Sequence, residues 1–208
     1  MAGLLANFRN TVILSFVLAL VMVIAYSQGP HGTDMAFWQA VARWLHVFFG
    51  ILWIGLLYYF NFVQIRKMPD IPAELKPGVS KYIAPEALFW FRWSALGTVV
   101  MGLIIAGLRG AGYAKEVFTF GLADGYTAAD KGYTLMGVGA YLAIIMFLNV
   151  WGIIWPNQKK ILGIKPATDE EKARARKAAG MASRVNFVLS IPMLMCMASQ
   201  SHGLPFVK

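Results

Sequence analysis

The chain has 208 residues, of which 58% are hydrophobic and 14% charged. Soluble domains carry about 25% charged residues, so this composition excludes an ordinary water-soluble fold and points to lipid as the solvent. The net charge of +9 sits mainly in two loops, which argues against a nucleic-acid partner.

Apolar runs of about 20 residues recur along the chain, each long enough to cross a bilayer. They predict spans over 8–27, 35–65, 84–108, 133–155 and 181–201. Isolated strands cannot satisfy their backbone groups in lipid, so the expected fold is all-α. The expectation is one integral membrane helical bundle of about five transmembrane helices, formed by residues 1–208.

The first span follows Arg9 and is too long for a typical signal-peptide core. Tyr26, Ser27 and Gln28 match a cleavage site poorly, so the span is expected to be retained. Gly29, Pro30 and Gly32 then mark a turn, where a lone His31 reads as a solvated loop residue. The second span exceeds the hydrocarbon thickness and is expected to tilt or project. Arg43 sets its depth, so that His46 falls about one turn inside the boundary.

The loop after the second span holds Arg66, Lys67, Lys76 and Lys81. The third span opens with Glu86 and Phe89–Trp93 (FWFRW), where Arg92 is expected to snorkel among aromatic rings. From Arg109 to Gly132 runs a long loop. Gly110, Gly112, Gly121 and Gly125 should keep it irregular, and it reads equally as a docking surface, a lid or an interfacial segment. Pro156 is expected to stop the fourth span, with Lys159 and Lys160 anchoring it.

A separate polar helix over about 168–179 follows, capped by the Thr168–Glu171 pattern. The same loop carries Lys165, Lys172, Arg174, Arg176 and Lys177. This distribution is the positive-inside pattern, and it predicts a cytoplasmic N-terminus and a periplasmic C-terminus. Basic loops of this kind meet anionic lipid headgroups. The fifth span contains Pro192, which should bend it. Cys196 is the only cysteine, so no internal disulfide and no C-x-x-C-H haem attachment are expected.

His46 and His202 carry the functional signal. Ionisable residues at membrane depth suggest function by default, and neutral imidazole ligates haem iron. The topology puts both at the same membrane face, as candidate axial ligands of a haem b. Gly50 lies one turn from His46 and would leave packing room for a porphyrin, and Arg43 could pair with a propionate. Trp44, Phe48, Phe49 and Trp53 offer aromatic walls. The plainer reading is an interfacial anchor at Arg43 and Trp44, a solvated His202 and ordinary membrane glycines. On spacing alone the haem site is the minority reading. His31 stands as a possible replacement for His202.

Four motifs carry a family resemblance. Trp44–Gly55 (WLHVFFGILWIG) with Tyr58 resembles the second-helix motif of the urate-oxidase N-terminal membrane-domain family, often called PuuD-type. Phe89–Trp93 is similar to its third-helix start, with Arg92 where lysine is commoner. Asn149–Lys160 (NVWGIIWPNQKK) resembles its fourth-helix ending. Ser183–Met193 (SRVNFVLSIPM), followed by His202, resembles its last conserved stretch, although the surroundings of His202 depart from it.

The resemblance implies a haem-associated membrane domain in respiratory electron transfer, without the cytochrome c domain that long members carry. The His46 motif also resembles the HemJ-type haem-binding membrane proteins. The expected function is electron transfer by haem b at the periplasmic face of a bacterial inner membrane. The expected partners are the bilayer and a cytochrome c or another respiratory subunit. Two alternatives stay open: a membrane oxidase of urate or a porphyrin, and a haem-free accessory subunit. A transporter is disfavoured, because no acidic residue lies at mid-depth.

Overall fold

The computed structural model describes residues 2–29, 32–123, 125 and 131–202, with side chains for all of these except 2, 4 and 200–202. Every regular element among the described residues is helical. Five helices are long and apolar enough to cross a membrane, which makes this a multi-pass membrane protein.

Helix α1 covers Phe8–Ser27, as the hydropathy predicts. Asn7 caps it, its side chain accepting from the N–H groups of Arg9 and Asn10. None of its residues is buried. Its ring contacts with the bundle are Phe16 edge-on to Phe48 and Tyr26 stacked on Phe37.

Helix α2 (Met35–Tyr58) starts at Asp34, whose carboxylate accepts from the Phe37 N–H at 2.8 Å. It runs on through a π-helical stretch, Tyr59–Gln64, and one turn at Ile65–Lys67. Helical structure thus extends over Met35–Asp70, 36 residues, longer than a bilayer crossing needs. Helix α3 (Ala84–Leu108) follows a second π-helical stretch, Val79–Ile83. The helix is continuous from Lys76, so Pro85 is an interior proline directly after the π turn, in which Ala84 N–H bonds the Val79 carbonyl five residues back.

The pair α2–α3 is antiparallel and close. A Cβ on Gly97 would lie 2.7 Å from the Phe49 ring, so only glycine admits that ring. At the end of α3, Gln39 Nε2 reaches across from α2 and donates to the Leu108 carbonyl at 2.9 Å. That satisfies one of the orphan carbonyls every helix end leaves.

Three expectations are corrected here. The loop after α3 is not wholly irregular, because Ala111–Phe118 forms helix α4. Gly110 at φ 99° turns the chain into it, and buried Val117 pins it to the next helix. Gly137 provides the room: a Cβ there would collide with the Val117 carbonyl. Asp124 and residues 126–130 of that loop lie outside the described residues.

Second, Pro156 does not stop the fourth span. Helix α5 (Lys131–Asn149) passes through a third π-helical stretch, Val150–Ile154, into α6 (Trp155–Ile161). Proline in a helix lacks its N–H and clashes with the carbonyl four residues back. The wider turn takes up the change, with Trp155 N–H bonding the Val150 carbonyl five residues back.

Third, the polar helix and the fifth span are one helix, α7 (Asp169–His202, 34 residues), which continues through Pro192. Gly180 alone does not break it. Its capping box is formed as predicted: Glu171 N–H donates to Thr168 Oγ1 at 3.2 Å, and Thr168 N–H donates to Glu171 Oε2 at 2.9 Å.

The core lies between α2, α3, α5 and α7. Trp53, Leu57, Met146 and Val150 are fully buried in it. A polar seam crosses this core between α5 and α7. Asn149 Nδ2 donates to Asn186 Oδ1 at 2.7 Å, and Asn186 Nδ2 donates to the Met146 carbonyl at 3.1 Å. Asn186 is completely buried, so these bonds replace the water it lost.

Candidate functional site

His46 sits partly buried in the α2–α3 seam. Its Nδ1 lies 2.8 Å from the Thr98 carbonyl oxygen of α3. A carbonyl can only accept, so Nδ1 carries the proton, and in the neutral ring Nε2 keeps its lone pair. This is the tautomer a metal-ligating histidine adopts, with its second nitrogen donating to a backbone carbonyl that fixes the ring. The donor chemistry at His46 therefore fits haem iron.

Gly102 makes this bond possible. It lies one turn beyond Thr98, over the carbonyl that His46 uses. A Cβ there would stand 3.2 Å from His46 Cε1 and 3.4 Å from Nδ1. Sequence reasoning passes over both Thr98 and Gly102. The signal was the small-x-x-x-small spacing, the pattern that lets membrane helices approach closely.

His46, Gly50, Trp53 and Leu57 fall on one face of α2 at helical spacing. A Cβ on Gly50 would rest 3.9 Å from Thr98 Cγ2, an ordinary contact that alanine could make. Trp53 is fully buried, and its Nε1 has no hydrogen-bond partner among the described residues. Arg43 and Trp44 are exposed, one turn nearer the end of the bundle that carries α4. Phe48 and Phe49 lie edge-on to each other beside the histidine.

His202 is the last residue of α7, and its side chain lies outside the described part. His31 and residues 203–208 lie outside the described residues altogether. The backbone register still relates the two histidines. Helices α2 and α7 are antiparallel and touch where Ser190 Oγ donates to the Tyr58 hydroxyl at 3.3 Å. Phe62 and Phe187 meet nearby, with centroids 5.2 Å apart. Twelve residues separate Tyr58 from His46, and twelve separate Ser190 from His202. At about 1.5 Å per residue, both lie about 18 Å from that contact in the same direction. The neighbouring bond from Asn61 Nδ2 to Ser183 Oγ at 3.1 Å offsets the count by about one turn, so His46 and the His202 backbone lie within about a helical turn of one level.

Arg92 has the structural place expected of it. Its guanidinium lies 3.9 Å from the Trp155 ring centroid and 5.2 Å from that of Phe89, joining α3 to α6. Among the described residues no three His, Cys, Asp or Glu side chains converge on one point.

No curated protein and no solved structure matches the chain. Residues 116–208 match the family model described as urate oxidase N-terminal, the same family that the helix motifs resemble.

Proposed function

We propose that the protein binds haem b between His46 and His202 and passes electrons along a membrane respiratory chain. The observation that carries this reading is the Thr98 bond, which leaves His46 Nε2 as a nitrogen donor suited to haem iron. The level of the His202 backbone, within about a helical turn of His46, supports it.

Haem held by His46 and His202 would supply reversible one-electron transfer. The chain's own residues do the rest. Thr98 fixes the tautomer and rotation of His46, while Gly102 keeps space for its ring. Arg43, exposed one turn towards the bundle end, is suited to a propionate. Trp53 Nε1 is a buried donor on the same helix face and is open to a bonding partner.

The positive-inside distribution supports a periplasmic position for this end of the bundle, where α4 and its neighbours would meet a cytochrome c or a second respiratory subunit. One second reading has a specific observation behind it. The family description names urate oxidation, so the haem could instead drain electrons from a bound urate or porphyrin.

The test is a reduced-minus-oxidised absorption spectrum of the purified protein with His46→Ala, His202→Ala and His31→Ala alongside. The expected result is a b-type spectrum lost in the first two variants and kept in the third. A native protein that takes up no haem under ample supply refutes the proposal and leaves a haem-free accessory role.

A further inference from the structure

A second site lies at the opposite end of the bundle from His46. A cavity of about 640 Å³ opens there among α2, α3, α6 and α7, within the size range of small-molecule pockets. Each of the three π-helical stretches contributes to its wall: Phe60 and Gln64 from the first, Ser80 from the second and Ile154 from the third. π-Helical turns are rare and frequently accompany functional sites. Three converging on one cavity indicate that the helices are locally widened around it.

The lining divides by chemistry. Phe60, Leu88, Phe91 and Ile154 form an apolar wall that continues into the bundle core. Lys76 and Arg176 bring two positive charges to the same cavity, and neither forms an ion pair among the described residues. Gln64 Oε1 is buried and has no hydrogen-bond donor among the described residues. A buried acceptor of this kind costs free energy until a donor reaches it.

We propose that this cavity binds an acidic amphiphile. Its anionic head is held by Lys76 and Arg176 and its apolar part lies along Phe60 and Phe91; a hydroxyl, where the head carries one, donates to Gln64. Basic pockets between membrane helices recognise acidic headgroups by the same charge pairing. The anion can come from an acidic phospholipid or from a free long-chain carboxylate.

Native mass spectrometry of the full chain separates these sources, with phosphatidylglycerol, oleate and phosphatidylcholine offered in equal amounts. The expected result is retention of phosphatidylglycerol or oleate over phosphatidylcholine. Whichever is retained identifies the source. The double variant Lys76→Gln, Arg176→Gln should retain about tenfold less, as the loss of charge-assisted bonds implies. Gly180→Leu is a second variant: Gly180 lines the cavity, and a Cβ there meets nothing within 4 Å. It should block retention while leaving the helical circular dichroism intact, and it decides the matter if the charge variant misfolds. Equal retention of phosphatidylcholine, or retention unchanged in the folded variants, overturns the proposal.

Discussion

Gly102→Ala tests the histidine geometry more sharply than removing the histidine does. The new Cβ would stand 3.2 Å from His46 Cε1, whereas carbon atoms pack best at about 3.5–4.0 Å. The ring must retreat by roughly 0.3–0.8 Å. The Nδ1 to Thr98 bond of 2.8 Å then stretches to about 3.1–3.6 Å, to the limit of the ordinary range for N–H···O or past it. Loss of a partner that orients a metal ligand lowers affinity about 10–100-fold.

Two other glycines of α3 bracket the experiment. At Gly107 a Cβ meets nothing within 4 Å, so Gly107→Ala should only add about 0.5–1 kcal/mol of helix stability. At Gly97 the Cβ would drive into the Phe49 ring at 2.7 Å, so Gly97→Ala should cost about 1–3 kcal/mol of packing. Haem titration of the three purified variants, followed by the reduced b-type absorbance, gives the affinities. Folded Gly102→Ala binding haem as tightly as Gly107→Ala would refute the orienting role of the Thr98 carbonyl.

Asn186→Ala removes one of the two acceptors of Asn149 Nδ2, the other being the Ala182 carbonyl, and the donor to the Met146 carbonyl; it should destabilise the α5–α7 contact by about 1–3 kcal/mol, read as a shift in the detergent unfolding midpoint. A shift below the error of the measurement would count against the polar seam. Arg92→Leu should lose about 0.5–2 kcal/mol from the Trp155 stack and change tryptophan emission, with Arg92→Lys intermediate. The capping bond to Thr168 holds the Glu171 carboxyl below its ordinary range. A depressed folded-state pKa adds stability that is present above the unfolded pKa, about 4.3, and lost as pH falls through the folded value. Amide exchange in the first turn of α7 should therefore quicken below the ordinary carboxylate range, and Glu171→Gln should remove that pH dependence.

The limits of α1 and α3 were legible because hydropathy alone defines a span. The continuity of the polar stretch with the fifth span inside α7 was not, because a change of solvent along a helix resembles a change of element. Helix α4 escaped notice because it is only eight residues long and buries only Val117, its other contacts including the Tyr113–Tyr133 and Phe118–Tyr141 rings and the Tyr141 hydroxyl on the Phe118 carbonyl. The π-helical stretches have no sequence period of their own, so Pro156 read as a stop when the chain instead widened by a residue. His46 stood out as an ionisable group in an apolar run. Its partner did not, since Thr98 contributes a backbone carbonyl, which every residue has, from 52 positions away.

Helix α1 differs from its neighbours in what constrains it. No residue of it is buried, so lipid or a partner must cover nearly all of its surface. Its sequence is then held to an average hydropathy and a length, with little demand on which residue stands where. Shuffling its apolar residues while keeping Phe16 and Tyr26 in place should leave the other four spans folded. The same shuffle in α2 would scatter the packing around Trp53. One chain thus holds two kinds of helix, one specified by composition and the other by position.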